Sequence, residues 1–466
     1  MNRLDLTTLT ELPTGPAVDP RGLTVGIVHL GIGAFHRAHQ AVFTEQAARI
    51  SGDTRWGITG VSQRSTTVRD QLAPQDGLYS VLTRGQGDPS IEVIGSVRDV
   101  LTVPEDPDAV VARIADPAVS VVTLTVTEKG YRASGDGLNL ADPEIQADLA
   151  GRSPRTVVGQ LAAGLARRAE HGEPLTILSC DNLVANGPFL RRLVQDYAEA
   201  ADLKGLAEQL ELATFPASMV DRIVPATTET DRAEAARLLG VRDEAVVVAE
   251  PFLQWVIEDE FAGPRPAWES AGAVLTRDVA PWEQAKLRML NATHSMLAYL
   301  GALRGYETIA EAVRDEELSG LAQDLMRTDV IPTLTPPDGL DLPAYGASVL
   351  ERFANPALKH RTAQVAMDGS VKLPVRLLGT VRDRLSAGAE PTVISLAVAA
   401  WMVYVAKSAE VDDPQATRLK SALEGVTTAT ATVDALLSVE TIFTPDLRDN
   451  DVFRSLLVDH VTRLTS

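Results

Sequence analysis

Val25-Gly26-Ile27-Val28-His29-Leu30-Gly31-Ile32-Gly33-Ala34-Phe35-His36 is an apolar, β-branched run that breaks into a glycine turn, and its reading decides the fold class. A buried strand followed by a turn with two glycines opens a βα unit in which the backbone turns tightly and can approach a pyrophosphate at the start of the next helix. His36 stands where the usual G-x-G-x-x-G has its third glycine, so this turn alone leaves dinucleotide binding and a plain structural loop about equally open.

Outward from this strand the pattern repeats. Short apolar runs at 25–30, 56–61, 91–97, 119–126, 175–179 and 245–249 alternate with helical stretches, as in parallel βαβ units of a doubly wound α/β sheet. After Pro281 the periodicity becomes helical: residues 282–303 space Leu287, Leu290, Met296, Leu297 and Leu300 along one helix, and 392–407 forms another. Proline breaks at 332–337 and at Pro374 are expected to separate further helices. The boundary falls near Ala280, with a nucleotide-binding α/β domain over 1–280 and a mostly helical domain over 281–466.

The chain has 466 residues, 45% hydrophobic and 23% charged, with a net charge of −20. That excess repels a phosphate backbone and argues against a nucleic-acid partner. Cys180 is the only cysteine, which excludes an internal disulfide or a multi-thiolate zinc site and is compatible with a cytoplasmic location. The most apolar stretch, 393–406, is shorter than a bilayer span, and residues 1–19 lack the apolar region of a secretory signal. No internal repeat is present.

A second strand should end in an acid for the adenosine ribose. Gln63, Arg64 and Ser65 stand there instead. Arg64 either tolerates a 2′-phosphate or is a solvated loop residue, so NAD and NADP both stay open. His29, His36 and His39 are expected to point apart and to be structural or on the cofactor side.

Lys286-Leu287-Arg288-Met289-Leu290-Asn291-Ala292-Thr293-His294 is the most informative segment for chemistry. On an α-helix Asn291 and His294 are neighbours, and His294 lies about 80° around the axis from Lys286. Three polar groups amid apolar residues form either a catalytic pocket or a hydrogen-bonded core cluster. Ser179-Cys180-Asp181-Asn182 follows a strand end, where ligands of open sheets collect. Asp221-Arg222 lies in an apolar context, and Asp368-Gly369-Ser370-Val371-Lys372 follows a helical stretch.

Taken together with Thr127-Glu128-Lys129-Gly130-Tyr131 and Glu250-Pro251-Phe252-Leu253-Gln254-Trp255-Val256, these segments resemble the polyol-specific long-chain dehydrogenases, which include mannitol 2-dehydrogenases and fructuronate reductases. The resemblance runs from about Gly22 into the C-terminal region in unbroken order. It implies a Rossmann-type domain followed by a helical one, a nicotinamide cofactor (NAD first, NADP as an alternative) held at Gly31, Ile32, Gly33, Ala34, Phe35, Gln63 and Arg64, and no metal. It further implies that Lys286 is the general acid–base, that Asn182 and Asn291 bind the reacting oxygen, and that His294 orients the substrate. Asp221 and Lys372 match substrate-site residues, and Glu128 and Glu283 match acids on a proton path. These roles make physical sense, because a lysine can be neutral near physiological pH when burial lowers its pKa, and two amides can stabilise alkoxide charge.

Gln364, where a mannitol 2-dehydrogenase is expected to carry arginine, together with the segment 355–370, leans towards fructuronate reductases. A uronate carboxylate then needs a cationic partner, for which Arg361, His360 and Lys372 are candidates. The expected activity is interconversion of a 2-keto sugar or sugar acid and its 2-hydroxy partner, as fructuronate/mannonate or fructose/mannitol. The alternatives are another polyol dehydrogenase, such as an arabinitol dehydrogenase, or a noncatalytic nucleotide sensor. A monomer is compatible with the family, and no membrane partner is expected.

Overall fold

Along the first strand the side chains alternate between two cores. Val28 and Leu30 enter one, with Val61, Val122, Leu124 and Ile177, and Ile27 enters the other, with Ile58, Val121 and Leu178. A sheet apolar on both faces must be covered on both. It is covered by helices Pro107–Ala115, Val157–Arg168 and Asn186–Ala200 on one face and Gln40–Ser51 on the other. The structure is a computed structural model describing residues 1–466 apart from Gln86, Arg152, Asp202, Lys359 and the side chain of Leu358. Two units divide the chain, Met1–Ala280 and Pro281–Ser466.

Numbering only the strands of the central sheet, β1 is Val25–Leu30, β2 Gly57–Ser62, β3 Val97–Thr102, β4 Val121–Leu124, β5 Leu175–Ser179 and β6 Ala213–Thr214. All pairings are parallel and the spatial order is 3-2-1-4-5-6, the doubly wound Rossmann order, whose direction reverses between β1 and β4. Two small three-stranded sheets complete the unit. One joins Ser218–Asp221, Gln254–Glu258 and Val274–Thr276, and the other joins Tyr79–Thr83, Ser90–Ile94 and Val247–Ala249.

Two sequence expectations for this unit change. The single strand expected at 91–97 divides, because Ser90–Ile94 pairs antiparallel with Tyr79–Thr83 while Val97–Thr102 pairs parallel with β2. The break is tertiary in origin: the Gly95 and Ser96 N–H groups turn to the buried Glu45 carboxylate at 2.6 and 2.9 Å. Nor do the histidines point apart. His29 and His36 stack with ring centroids 3.4 Å apart, because the turn folds the helix start back over β1. His29 bonds Thr123 Oγ1 at 2.7 Å and Thr125 Oγ1 at 2.8 Å, and burial pushes its pKa down to about 3. His39 bonds the Gln254 carbonyl at 2.8 Å.

The second unit is built on the buried helix Thr392–Lys407, against which Ala292–Leu303 and Asp451–Thr465 pack. Its length and apolarity match the sequence reading, and no helix among the described residues is long and apolar enough to cross a membrane. The helix expected over 282–303 is interrupted. Ala280–Ala285 and Ala292–Leu303 are α-helical, but Lys286–Asn291 between them is a π-helical turn. Two more π-turns, Leu325–Val330 and Pro374–Leu378, pack against it. Pro374 is therefore no break. It occupies the first position of its π-turn, where the missing N–H costs little, and the helical path continues from Gly369–Leu373 into Gly379–Ser386.

Candidate active site

In the first unit the site residues gather at the carboxyl ends of the parallel strands. Gly31 follows β1 with φ +99°, and a Cβ there would stand 2.1 Å from the Thr125 carbonyl oxygen after β4, so only glycine fits where the two strands separate. Gly33 has an extended backbone and caps the short helix Ala34–Ala38. A Cβ on Gly33 would meet only the Gly31 oxygen, at 3.8 Å. One glycine is thus required by the protein itself, and the other faces open space at the switch point, where a dinucleotide backbone fits. Past β2, Gln63 exchanges amide hydrogen bonds with Gln160 at 3.1 and 3.2 Å, and Arg64 is exposed.

After β4 the chain runs through Thr127, whose φ of +67° is unusual for a β-branched residue. Asp181, after β5, holds that loop by accepting from Val126 N at 3.0 Å, Thr127 N at 2.8 Å and Tyr131 Oη at 2.6 Å. Burial raises the Asp181 pKa despite these donors. Glu128 and Asn182 are exposed at these two strand ends. Asn186 ties the loop after β5 to Ser218 through bonds of 2.8 and 2.9 Å, on the strand that ends at the buried Asp221. Beside it, the Arg222 guanidinium donates to the Ala38 and Glu250 carbonyls, a structural role.

In the second unit the π-turn changes the geometry expected of the lysine segment. The Ala292 N–H bonds back to the Leu287 carbonyl, five residues earlier. The same i,i+5 register brings Lys286 and Asn291 onto one face, where α-helical spacing would hold them apart. Asn291 is buried, and Lys286 and Glu283, one turn earlier, are partly buried.

His294 begins the next turn. Its ring stacks on Phe353 at 4.7 Å and lies 5.6 Å from His360, and its Nε2 is buried with no hydrogen-bond partner. Burial, with lesser contributions from His360, Arg376, Lys372 and Arg352, holds its pKa well below the usual range. The imidazole is neutral at physiological pH. Lys372 donates to the Met367 carbonyl at 2.6 Å and the Val365 carbonyl at 3.2 Å, and its pKa is lowered by burial and by Arg376.

Arg361 and Gln364 are exposed and line a hollow of about 420 Å³ with Tyr404, Glu410 and Asp412, and Lys372 is not among its walls. Lys359, in the same segment, lies outside the described residues. Sequence reasoning missed Arg376, whose Nη1 donates to Ser295 Oγ at 3.0 Å. The available signal was Lys372-Leu373-Pro374-Val375-Arg376, two cations four residues apart with no acid between them. Among the described residues no group of three or more His, Cys, Asp or Glu side chains is arranged to hold a metal ion.

Residues 25–270 match the mannitol dehydrogenase Rossmann domain and residues 278–465 the mannitol dehydrogenase C-terminal domain. D-mannonate oxidoreductase of Escherichia coli is 41% identical, over 96% of this chain and 95% of that one. Mannitol 2-dehydrogenase of Pyrenophora tritici-repentis is 36% identical, over 97% and 82%. The ternary complex of Pseudomonas fluorescens mannitol 2-dehydrogenase with NAD and D-mannitol superposes with a TM-score of 0.85 at 35% identity, covering 100% of this chain and 97% of that one.

Proposed function

The chain belongs to the mannitol dehydrogenase family of oxidoreductases, and from this premise we propose that it interconverts a 2-keto sugar or sugar acid and its 2-hydroxy partner, with the fructuronate/mannonate pair preferred over fructose/mannitol. The observation that carries the reading is the π-turn: it sets a lysine and an amide on one face, with a neutral histidine one turn further on.

The first unit is proposed to hold NAD at Gly31, Ile32, Gly33, Ala34 and Phe35, with Gln63 and Arg64 by the adenosine ribose. The open space over Gly33 supports this. With no acid after β2, nothing repels a 2′-phosphate, so NADP is accepted as well. When bound, the nicotinamide supplies the acceptor or donor of the hydride exchanged with the substrate's C2.

The second unit is proposed to carry the proton chemistry. Lys286 Nζ takes the hydroxyl proton in oxidation and returns it to the carbonyl oxygen in reduction. The amides of Asn291 and Asn182 donate to that oxygen as charge develops on it, stabilisation that needs no metal. A neutral His294 orients the substrate without adding a charge that would favour the alkoxide over a protonated lysine. Asp221 and Lys372 bind the rest of the substrate, and Glu128 and Glu283 relay the proton between Lys286 and solvent. Arg361 and Gln364 are not assigned to a substrate carboxylate, because Glu410 and Asp412 share their hollow and oppose a negative charge.

Replacing Lys286 with alanine tests the reading. Turnover of fructuronate with NADH should fall by about 10²–10⁴-fold, while NADH binding, followed by fluorescence, stays unchanged. Near-parental turnover would refute it. Cofactor binding without turnover of any ketose, ketouronate or polyol by the parent protein would favour the nucleotide sensor.

A further inference from the structure

The second unit contains a cation that its own side chains leave uncompensated. Most arginines there are paired: Arg288 with Asp383 at 2.5 Å, Arg304 with Asp315 at 2.9 Å, Arg382 with Asp446 and Arg454 with Asp434 at 2.7 Å. Arg376, also partly buried, has no such partner among the described residues. Its hydrogen bond among the described residues goes to Ser295, the residue after His294. No carboxylate among the described residues comes within ion-pair distance of it.

Lys372, the cation nearest in the chain, spends its ammonium on two backbone carbonyls and reaches Asp368 only at 4.0 Å. Arg376 contributes to lowering the pKa of both Lys372 and His294, an effect that Asp368, Asp413 and Asp412 partly offset at Lys372. In a chain with a net charge of −20, a partly buried guanidinium with no carboxylate at ion-pair distance is costly unless a ligand brings the missing charge.

A guanidinium presents five donors in a planar fork that matches a carboxylate. Ser295 takes one of them, and it does so on the helix that also carries His294. We infer that Arg376 is the specificity-determining residue that binds the carboxylate of a sugar-acid substrate, with Lys372 as the second charge. This rests on the reading that the site turns over 2-keto sugars and sugar acids. A neutral ketose brings no charge to Arg376, so the residue separates the two substrate classes.

The test is Arg376→Met and Arg376→Lys, assayed with D-fructuronate and D-fructose as NADH-dependent reductions, alongside melting curves with D-mannonate or D-mannitol. Arg376→Met should lower kcat/KM for fructuronate on the order of 100-fold, chiefly through KM, and leave fructose nearly unchanged. Arg376→Lys keeps the charge without the fork and should fall between. Equal losses on both substrates, or a loss confined to kcat, would mark a structural role and overturn the inference, as would unchanged fructuronate reduction. If Arg376→Met gives no native melt, Arg376→Lys decides by the same selective or parallel loss. If the parent reduces neither substrate, the functional reading fails on its own. The anion site is then judged by melting: D-mannonate stabilising the parent but not Arg376→Met upholds it, and equal shifts or none overturn it.

Discussion

Gly31 and Gly33 are two residues apart, and the structure assigns them opposite tolerances to a methyl group. In Gly31→Ala the residue would keep φ near +99° with its Cβ 2.1 Å from the Thr125 oxygen and 2.8 Å from the Thr125 carbonyl carbon. The strained backbone costs about 1–3 kcal/mol, and relieving the overlap by moving β1 from β4 costs about 1–3 kcal/mol more. A loss of that size lowers the melting temperature on the order of 10 °C. In Gly33→Ala the extended backbone suits any residue and the nearest atom is 3.8 Å away, so stability should stay within about 0.5 kcal/mol. The added methyl instead occupies the space assigned to the dinucleotide. Its dissociation constant should rise about tenfold or more, equivalent to at least ~1.4 kcal/mol. Differential scanning fluorimetry and NADH fluorescence titration on both variants read the two effects. If Gly33→Ala binds NADH like the parent, the cofactor does not lie over this turn. If Gly31→Ala melts like the parent, the packing argument is wrong.

Alcohol oxidation should rise with pH as Lys286 deprotonates, with no inflection near pH 6.5, because His294 is held neutral by burial; a limb in the profile that disappears in His294→Gln would contradict this. Glu45 should make the fold less stable in alkali: burial raises its pKa to about 7, so its contribution is full below the unfolded value of about 4.5 and is lost as pH climbs through 7, by about 3 kcal/mol. Urea unfolding at pH 5.5 and 8 should show about 2 kcal/mol of that loss in the parent and a smaller one in Glu45→Gln, and an equal dependence in both would sink the assignment. Asp181→Asn, which loses one acceptor from a carboxylate holding three donors, should cost about 1–3 kcal/mol by chemical denaturation; an unchanged midpoint would mean that the loop after β4 stands without it.

What was legible in the sequence was local. The strands Val25–Leu30 and Leu175–Ser179 and the helix Thr392–Lys407 have the bounds that their apolar runs indicate, because burial on all sides leaves few polar residues to blur the ends. The order of motifs likewise pointed to the family. The division at Gly95 was not legible, since a carboxylate fifty residues earlier produces it. The stacking of His29 on His36 depends on how far one turn folds back. The π-turn at Lys286 escaped for a different reason: α and π segments draw on the same residues, and only packing against neighbouring helices selects between them. Arg376 was hidden by its proline, which reads as a terminator and here starts a turn.

A π-turn is arithmetically an α-helix with one residue too many, and in the second unit two others pack against the one at Lys286. Drawing the six residues into the commoner helix with none removed would set the lysine about 140° around the axis from its amide partner, whereas deleting one position between them would leave the pair four residues apart and still on one face. A chain of full length whose turn takes that α-helical register should be catalytically silent. Engineering for heat resistance by regularising this helix would therefore select against the activity, which makes the irregularity the part of the domain that consensus design must leave alone.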